Sequence, residues 1–137
     1  KALPTRDAIL PAIMLLTAAN EILISKLIES LPKRYTHSDR IQNFATEKSR
    51  AIMEQGKKDP SRLLKQLGFS NTKIENIDET DGLKITLIDG CIVHLRPSGN
   101  APELRCYAEA ENYLKASEFV TTSLSNIQNF VFINNNN

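Results

Sequence analysis

Leu83-Lys84-Ile85-Thr86-Leu87-Ile88-Asp89-Gly90-Cys91-Ile92-Val93-His94-Leu95-Arg96 contains two apolar alternations of period two separated by Asp-Gly. Alternation of this kind marks half-buried strands, and Asp-Gly marks a tight turn between them. The loop length sets the register. A two-residue loop pairs Leu87 with Ile92 and turns Lys84 and Thr86 to the same side as Val93 and Leu95. A three-residue loop, Ile88-Asp89-Gly90 with Gly90 left-handed, aligns Leu83, Ile85 and Leu87 with Cys91, Val93 and Leu95 instead. The second choice gives one clean apolar face and puts Ile92, His94 and Arg96 on the other, so it is preferred.

Outward from this hairpin, period two also appears at residues 72–79 and 103–110, with Asp81-Gly82 as another tight turn. Residues 35–43 read as a short polar edge strand. Two helices separate it from the hairpin. The first covers 46–55 and ends at Gly56. The second has Asp59 as N-cap, Pro60 at its first position, Leu63, Leu64 and Leu67 on one face, and Gly68 past its end. Residues 113–127 read as a closing helix with Leu114, Phe119 and Leu124 among its apolar positions, and 134–137 as a frayed tail. The expected class is α+β, an antiparallel sheet of four or five strands with its helices on one face. Ahead of it, residues 5–31 are helical, with Thr5 as cap, Asp7 in the first turn and Pro11 as a kink or break unless it lies within the first turns. Their apolar side chains run almost all the way round, so this helix needs burial on several sides. Together with a chain beginning at Lys1, that leads us to expect a piece of something longer.

Arg96-Pro97-Ser98-Gly99-Asn100-Ala101-Pro102-Glu103-Leu104-Arg105 is the segment richest in chemistry. A phosphate needs converging N–H groups, room for close approach and fixed cations. Ser98, Gly99 and Asn100 offer successive donors, and Gly99 lets the chain curl into an anion nest. Arg96 adds a bidentate fork. Pro, Ser, Gly and Asn are also what any connecting turn uses, so the residues alone leave both readings open.

This segment and the strand after it, Cys106-Tyr107-Ala108-Glu109-Ala110, resemble the C-terminal domain of the α-D-phosphohexomutases, in the bacterial phosphomannomutase/phosphoglucomutase branch. The family loop reads Arg-Pro-Ser-Gly-Thr-Glu-Pro, and Asn100 and Ala101 stand here for its Thr and Glu. The likeness extends through Thr80-Asp81-Gly82-Leu83 and Arg34-Tyr35-Thr36-His37-Ser38-Asp39-Arg40. It reaches Leu3-Pro4-Thr5-Arg6-Asp7-Ala8-Ile9-Leu10-Pro11, which resembles the last helix of the family's third domain. The resemblance implies a TATA-box-binding-protein-like fourth domain over residues 33–133, preceded at 1–32 by the helical end of a truncated third domain. It also implies a function, interconversion of hexose 1-phosphate and hexose 6-phosphate (mannose first, glucose also). In the family this proceeds through a phosphoserine, a hexose 1,6-bisphosphate intermediate and Mg²⁺ held by Asp residues of another domain. The fourth domain grips the non-reacting phosphate. Residue by residue, Arg96, Ser98, Gly99 and Asn100 match the phosphate-binding positions, and Arg105 matches a second Arg near the phosphate in some members. No Ser here sits in a phosphoserine motif and no Asp-x-Asp-x-Asp cluster occurs, so the chain alone is expected to be inactive. Its expected partners are the hexose phosphate and the missing N-terminal domains.

Composition sets the remaining bounds. The 137 residues are 41% apolar and 24% charged, enough for a packed core. Seventeen basic against sixteen acidic side chains, net +1, disfavour nucleic acid and membrane surfaces as partners. The run from Ala8 to Ala19 is shorter than the ~20 residues a membrane span requires. Cys91 and Cys106 are too few for a disulfide scaffold, which points to a reducing, cytoplasmic compartment. Both are expected to be buried thiols. His37 and His94 have no second ligand at zinc spacing, so no metal site is expected, and Asp39-Arg40 reads as a surface ion pair. The competing hypothesis is a free-standing α+β module binding a ligand or RNA. The sheet lacks the aromatic stripe that stacks RNA bases.

Overall fold

The computed structural model describes residues 9–20 and 22–134, with side chains as far as 129. The chain divides into two units, 1–33 and 34–137. The first holds helices α1 (Ile9–Ala19) and α2 (Ile24–Glu29). The expected single helical run is interrupted at Asn20, not at Pro11. Asn20 has φ 45°, a left-handed conformation that Asn adopts more readily than most residues, and Ile22 then donates its N–H to the Ala19 carbonyl at 2.7 Å. Pro11 lies within α1. The positions read as cap and first turn, Thr5 and Asp7, lie outside the described residues. Ile9, Ile13, Met14, Leu16 and Leu23 are all more than half exposed. Among the described residues no helix is long and apolar enough to cross a membrane.

The second unit runs β1 (Tyr35–Ile41), α3 (Thr46–Lys58), α4 (Pro60–Leu67), β2 (Ile74–Asp78), β3 (Leu83–Leu87), β4 (Ile92–Pro97), β5 (Leu104–Ala110) and α5 (Tyr113–Asn134). The five strands form one antiparallel sheet in the order β1-β5-β4-β3-β2. The hairpin has the three-residue loop. Leu83 stands opposite Leu95 and Ile85 opposite Val93, and the Leu87 N–H donates to the Cys91 carbonyl at 2.8 Å. Gly90 turns the corner at φ 76°, where a Cβ would be strained.

That register sorts the sheet into two faces. Leu83, Ile85, Leu87, Cys91, Val93, Leu95, Leu104, Cys106 and Ala108 are buried on one, and α3, α4 and α5 pack there. Lys84, His94, Arg96, Arg105 and Tyr107 alternate onto the other, which none of α3, α4 and α5 covers among the described residues. Lys115 of α5 ties the hairpin loop to its helix, reaching Asp89 at 2.9 Å and Glu111 at 3.1 Å. Its ammonium holds the Asp89 carboxyl below the usual carboxylate range.

Three helix readings need correction. α3 does not stop at Gly56 but continues to Lys58. A Cβ on Gly56 would run into Leu83 and Leu63, so the glycine lets helix, sheet and α4 approach closely and is no terminator. The helix ends at Asp59, whose N–H bonds Gln55 and whose carboxylate caps α4 by accepting the Arg62 N–H at 2.9 Å. α5 is longer than expected, running to Asn134, so that residue is not tail; 135–137 lie outside the described residues. Leu114 is 80% exposed, because the buried face of α5 is Ala116, Phe119, Val120, Ser123, Leu124 and Ile127, at spacings of three and one.

Both thiols are buried, as expected for small apolar groups, and burial pushes Cys91 up to about 11 and Cys106 up to about 12. Burial keeps both thiols protonated near neutral pH, so neither cysteine should react with a disulfide reagent until denaturant is added. Rapid titration of either under native conditions would mean the core opens there. The Asp81-Gly82 turn should be equally intolerant. Gly82 sits at φ 95°, and a Cβ would press on the Leu95 carbonyl. Gly82→Ala should lower stability by about 2–4 kcal/mol in urea titrations, and a loss under ~1 kcal/mol would show that the turn can retreat.

Candidate functional site

Sheet pairing builds the site. Arg96 on β4 and Arg105 on β5 are direct partners, and Arg105 is in turn the partner of Arg40 on β1. Each is next to a buried residue (Ile41, Leu95, and Leu104 with Cys106) and pairs in register with the others, so the guanidinium groups emerge on the open face as a row across three strands. At ~4.8 Å per strand the row is about 10 Å long. Like charges directly opposite one another repel, so such a row needs counter-charges. Asp81 supplies one, its Oδ1 3.0 Å from Arg96 Nε. This occupies the inner edge of that guanidinium. Glu103 supplies the other, lying 3.3 Å from Arg40 and 3.4 Å from Arg105. The Tyr107 hydroxyl and Glu103 hold the Arg105 guanidinium more basic than usual.

Between Arg96 and Arg105 the loop is tied at its base. The Ser98 N–H donates to the Glu103 carbonyl at 2.9 Å, the Glu103 N–H to the Ala101 carbonyl at 2.8 Å, and the Phe44 N–H to the Pro102 carbonyl at 2.8 Å. Ser98 is half-buried, whereas Gly99 and Asn100 are exposed. No residue from 96 to 103 has positive φ, so the αR–αL alternation of an anion nest is not formed through Gly99. The Ser98 N–H, expected to be a free donor, already serves the loop. The Asn100 N–H lies 3.4 Å from Ser98 Oγ.

Hollows lie on the open face among the described residues. One of about 790 Å³ runs along Lys84, His94 and Tyr107. A smaller one, of about 280 Å³, is lined by Ser38, Asp39, Arg40, Arg105 and Tyr107. Neither is lined by residues 97–103. Both imidazoles have ordinary partners. His94 Nε2 meets the Asp81 carbonyl and its ring leans on Tyr107 at 5.5 Å, and His37 Nδ1 meets the Tyr113 hydroxyl at 3.3 Å.

Sequence reading missed Arg40, Glu103 and Asp81 as members of this group. Asp39 and Arg40 do not form the expected ion pair. The Asp39 carboxylate accepts the Arg40 N–H at 2.7 Å, and the guanidinium goes to Glu103. Strand alternation could have put Arg40 on the face opposite Ile41, but its pairing with Arg105, 65 residues later, is a fact of the sheet.

A family profile described as phosphoglucomutase/phosphomannomutase, C-terminal domain, matches residues 40–121. The chain is 50% identical over 128 residues to a phosphomannomutase of Salmonella muenchen, covering 93% of this chain and 27% of that protein. It is 36% identical over 129 residues to a phosphomannomutase of Sinorhizobium fredii, covering 90% and 26%. It thus spans about a quarter of the length of these relatives. The Arg96–Arg105 loop, the five-stranded sheet and the profile over 40–121 agree, and the chain belongs to the phosphoglucomutase/phosphomannomutase family through that family's C-terminal domain.

Proposed function

We propose that this chain is the substrate-phosphate clamp of a phosphohexomutase that interconverts hexose 1- and 6-phosphates, with mannose phosphate as its first substrate and glucose phosphate as its second. The observation that carries this is the in-register pair Arg96 and Arg105 on the open face beside exposed Gly99 and Asn100. Asp81 engages Arg96 through Nε, so the two Nη groups stay available for phosphate oxygens. Ser98 and Asn100 would add hydroxyl and amide donors, and Arg105 a second cation.

Fixing the dianion here orients the sugar, so that its far hydroxyl meets a phosphoserine in another domain. Binding energy remote from the reacting bond then supports the transfer. The family's mechanism also calls for Mg²⁺. Among the described residues no three His, Cys, Asp or Glu side chains come together as a metal site, so Mg²⁺ does not fit here and no step of this chain runs through it. The cytoplasm, where sugar phosphates and reduced thiols occur together, is the compartment proposed.

Steady-state kinetics on the full-length protein tests the clamp. Arg96→Ala should lower kcat/KM by on the order of 10- to 100-fold, since a hydrogen bond to a charged group is worth ~1.5–3 kcal/mol. Arg96→Lys should recover part of the loss, supplying charge without the fork. Ser98→Ala should cost less, and Asn100→Thr should be close to neutral. Melting temperatures should barely move. An unchanged kcat/KM in Arg96→Ala would make the segment a connecting loop. The 137-residue chain alone should not interconvert hexose phosphates.

A further inference from the structure

Glu103 is a carboxylate inside a cation row that, on the function proposed above, has to receive a dianion. Its side chain is 11% exposed, less than any other acid found here in an ion pair. It stands immediately before the strand that carries Arg105, in contact with that guanidinium. Left to itself it would claim Arg105 and repel an approaching phosphate.

Arg40 competes for the same carboxylate. Both Glu103 oxygens lie 3.3 Å from Arg40 Nη1, whereas the contact with Arg105 is longer, 3.4 Å, and goes through one oxygen. The Arg105 side chain is 38% exposed and its Nη2 meets Glu103 through one oxygen, so part of this guanidinium still faces the open side. Arg40 itself is half exposed on an edge strand and contributes little to the core. The other charged group beside it, Asp39, spends its carboxylate on a backbone N–H.

We propose that Arg40 is a positioning residue for substrate binding: it neutralises Glu103 and thereby weakens that carboxylate's hold on Arg105, which can then take the substrate phosphate. The role depends on the phosphate clamp, but it is specific to these side chains, and it is an action through Glu103 and not a direct contact with the substrate.

The test is a double-mutant cycle in the full-length protein, reading KM and kcat for mannose 1-phosphate and the inhibition constant of inorganic phosphate. Arg40→Ala should raise KM and weaken phosphate inhibition by about three- to tenfold, as expected for charges at this exposure, with kcat within twofold. Arg40→Gln should do the same, so that loss of size is separated from loss of charge. Glu103→Gln should lower KM. In the Glu103→Gln background, Arg40→Ala should change KM by less than twofold, because there is no longer a carboxylate to neutralise. If Arg40→Ala costs as much in that background as alone, Arg40 touches the substrate itself and the positioning role is overturned. It is overturned equally if Arg40→Ala has no effect on KM while Arg96→Ala does. A silent Arg96→Ala with an intact Arg40–Glu103 cycle would instead remove the Arg96 clamp and keep the anion at Arg105.

Discussion

The three-residue turn at Ile88-Asp89-Gly90 constrains everything else in the sheet. Side chains alternate with a period of two, so one residue more or less in that turn exchanges the faces of β4 and every strand paired beyond it. With Gly90 left-handed, Val93 and Leu95 join Ile85 and Leu87 under the helices, and Arg96 is delivered to the open side. The position of the first arginine is therefore decided by the fit of apolar side chains. Asp89 strengthens the same turn from outside, through Lys115, and so binds the hairpin to the closing helix.

From that parity the charged row follows by pairing alone. β5 lies between β4 and β1, so Arg105 must stand between Arg96 and Arg40. Three cations in line are unfavourable unless acids are placed among them, and the protein places two. Asp81 comes from a turn so close to β4 that a side chain on Gly82 would strike the Leu95 backbone. Glu103 comes from the tied base of the loop. Each acid orders one end of the row, at the cost of some of its positive charge.

Local patterns carried much of this in the sequence. The alternation over 83–87 and 91–96, the Asp59-Pro60 start and the Gly68 stop of α4 need only neighbouring residues to be understood, and all are present. Gly56 misled because a glycine that ends a helix and a glycine that admits a neighbouring leucine look alike until the neighbour is known. Leu114 misled because a 22-residue helix has several apolar residues and only the facing sheet selects among them. Arg96 stands out as a cation at the loop from the residues themselves, and Arg105 joins it through resemblance. That they are strand partners, with Arg40 as the third, required the crossover from β1 to β5. The nest expected at Gly99 depended on a backbone angle that loop composition does not determine.

The strand that carries Arg40 is also a free border of the sheet, and sheet borders invite other chains to add themselves by backbone pairing. Here the border is written almost wholly in polar side chains, from Thr36 through Arg40, and the Asp39 carboxylate closes off the Arg40 N–H that an incoming strand would use. At the opposite border β2 is short, carries Glu75, Asn76 and Asp78, and slips register between Ile74 and Asn76. Charge on β1 thus disfavours backbone pairing by another strand at this border. A sequence that exchanged Arg40 for an apolar residue would lose colloidal protection along with its electrostatics.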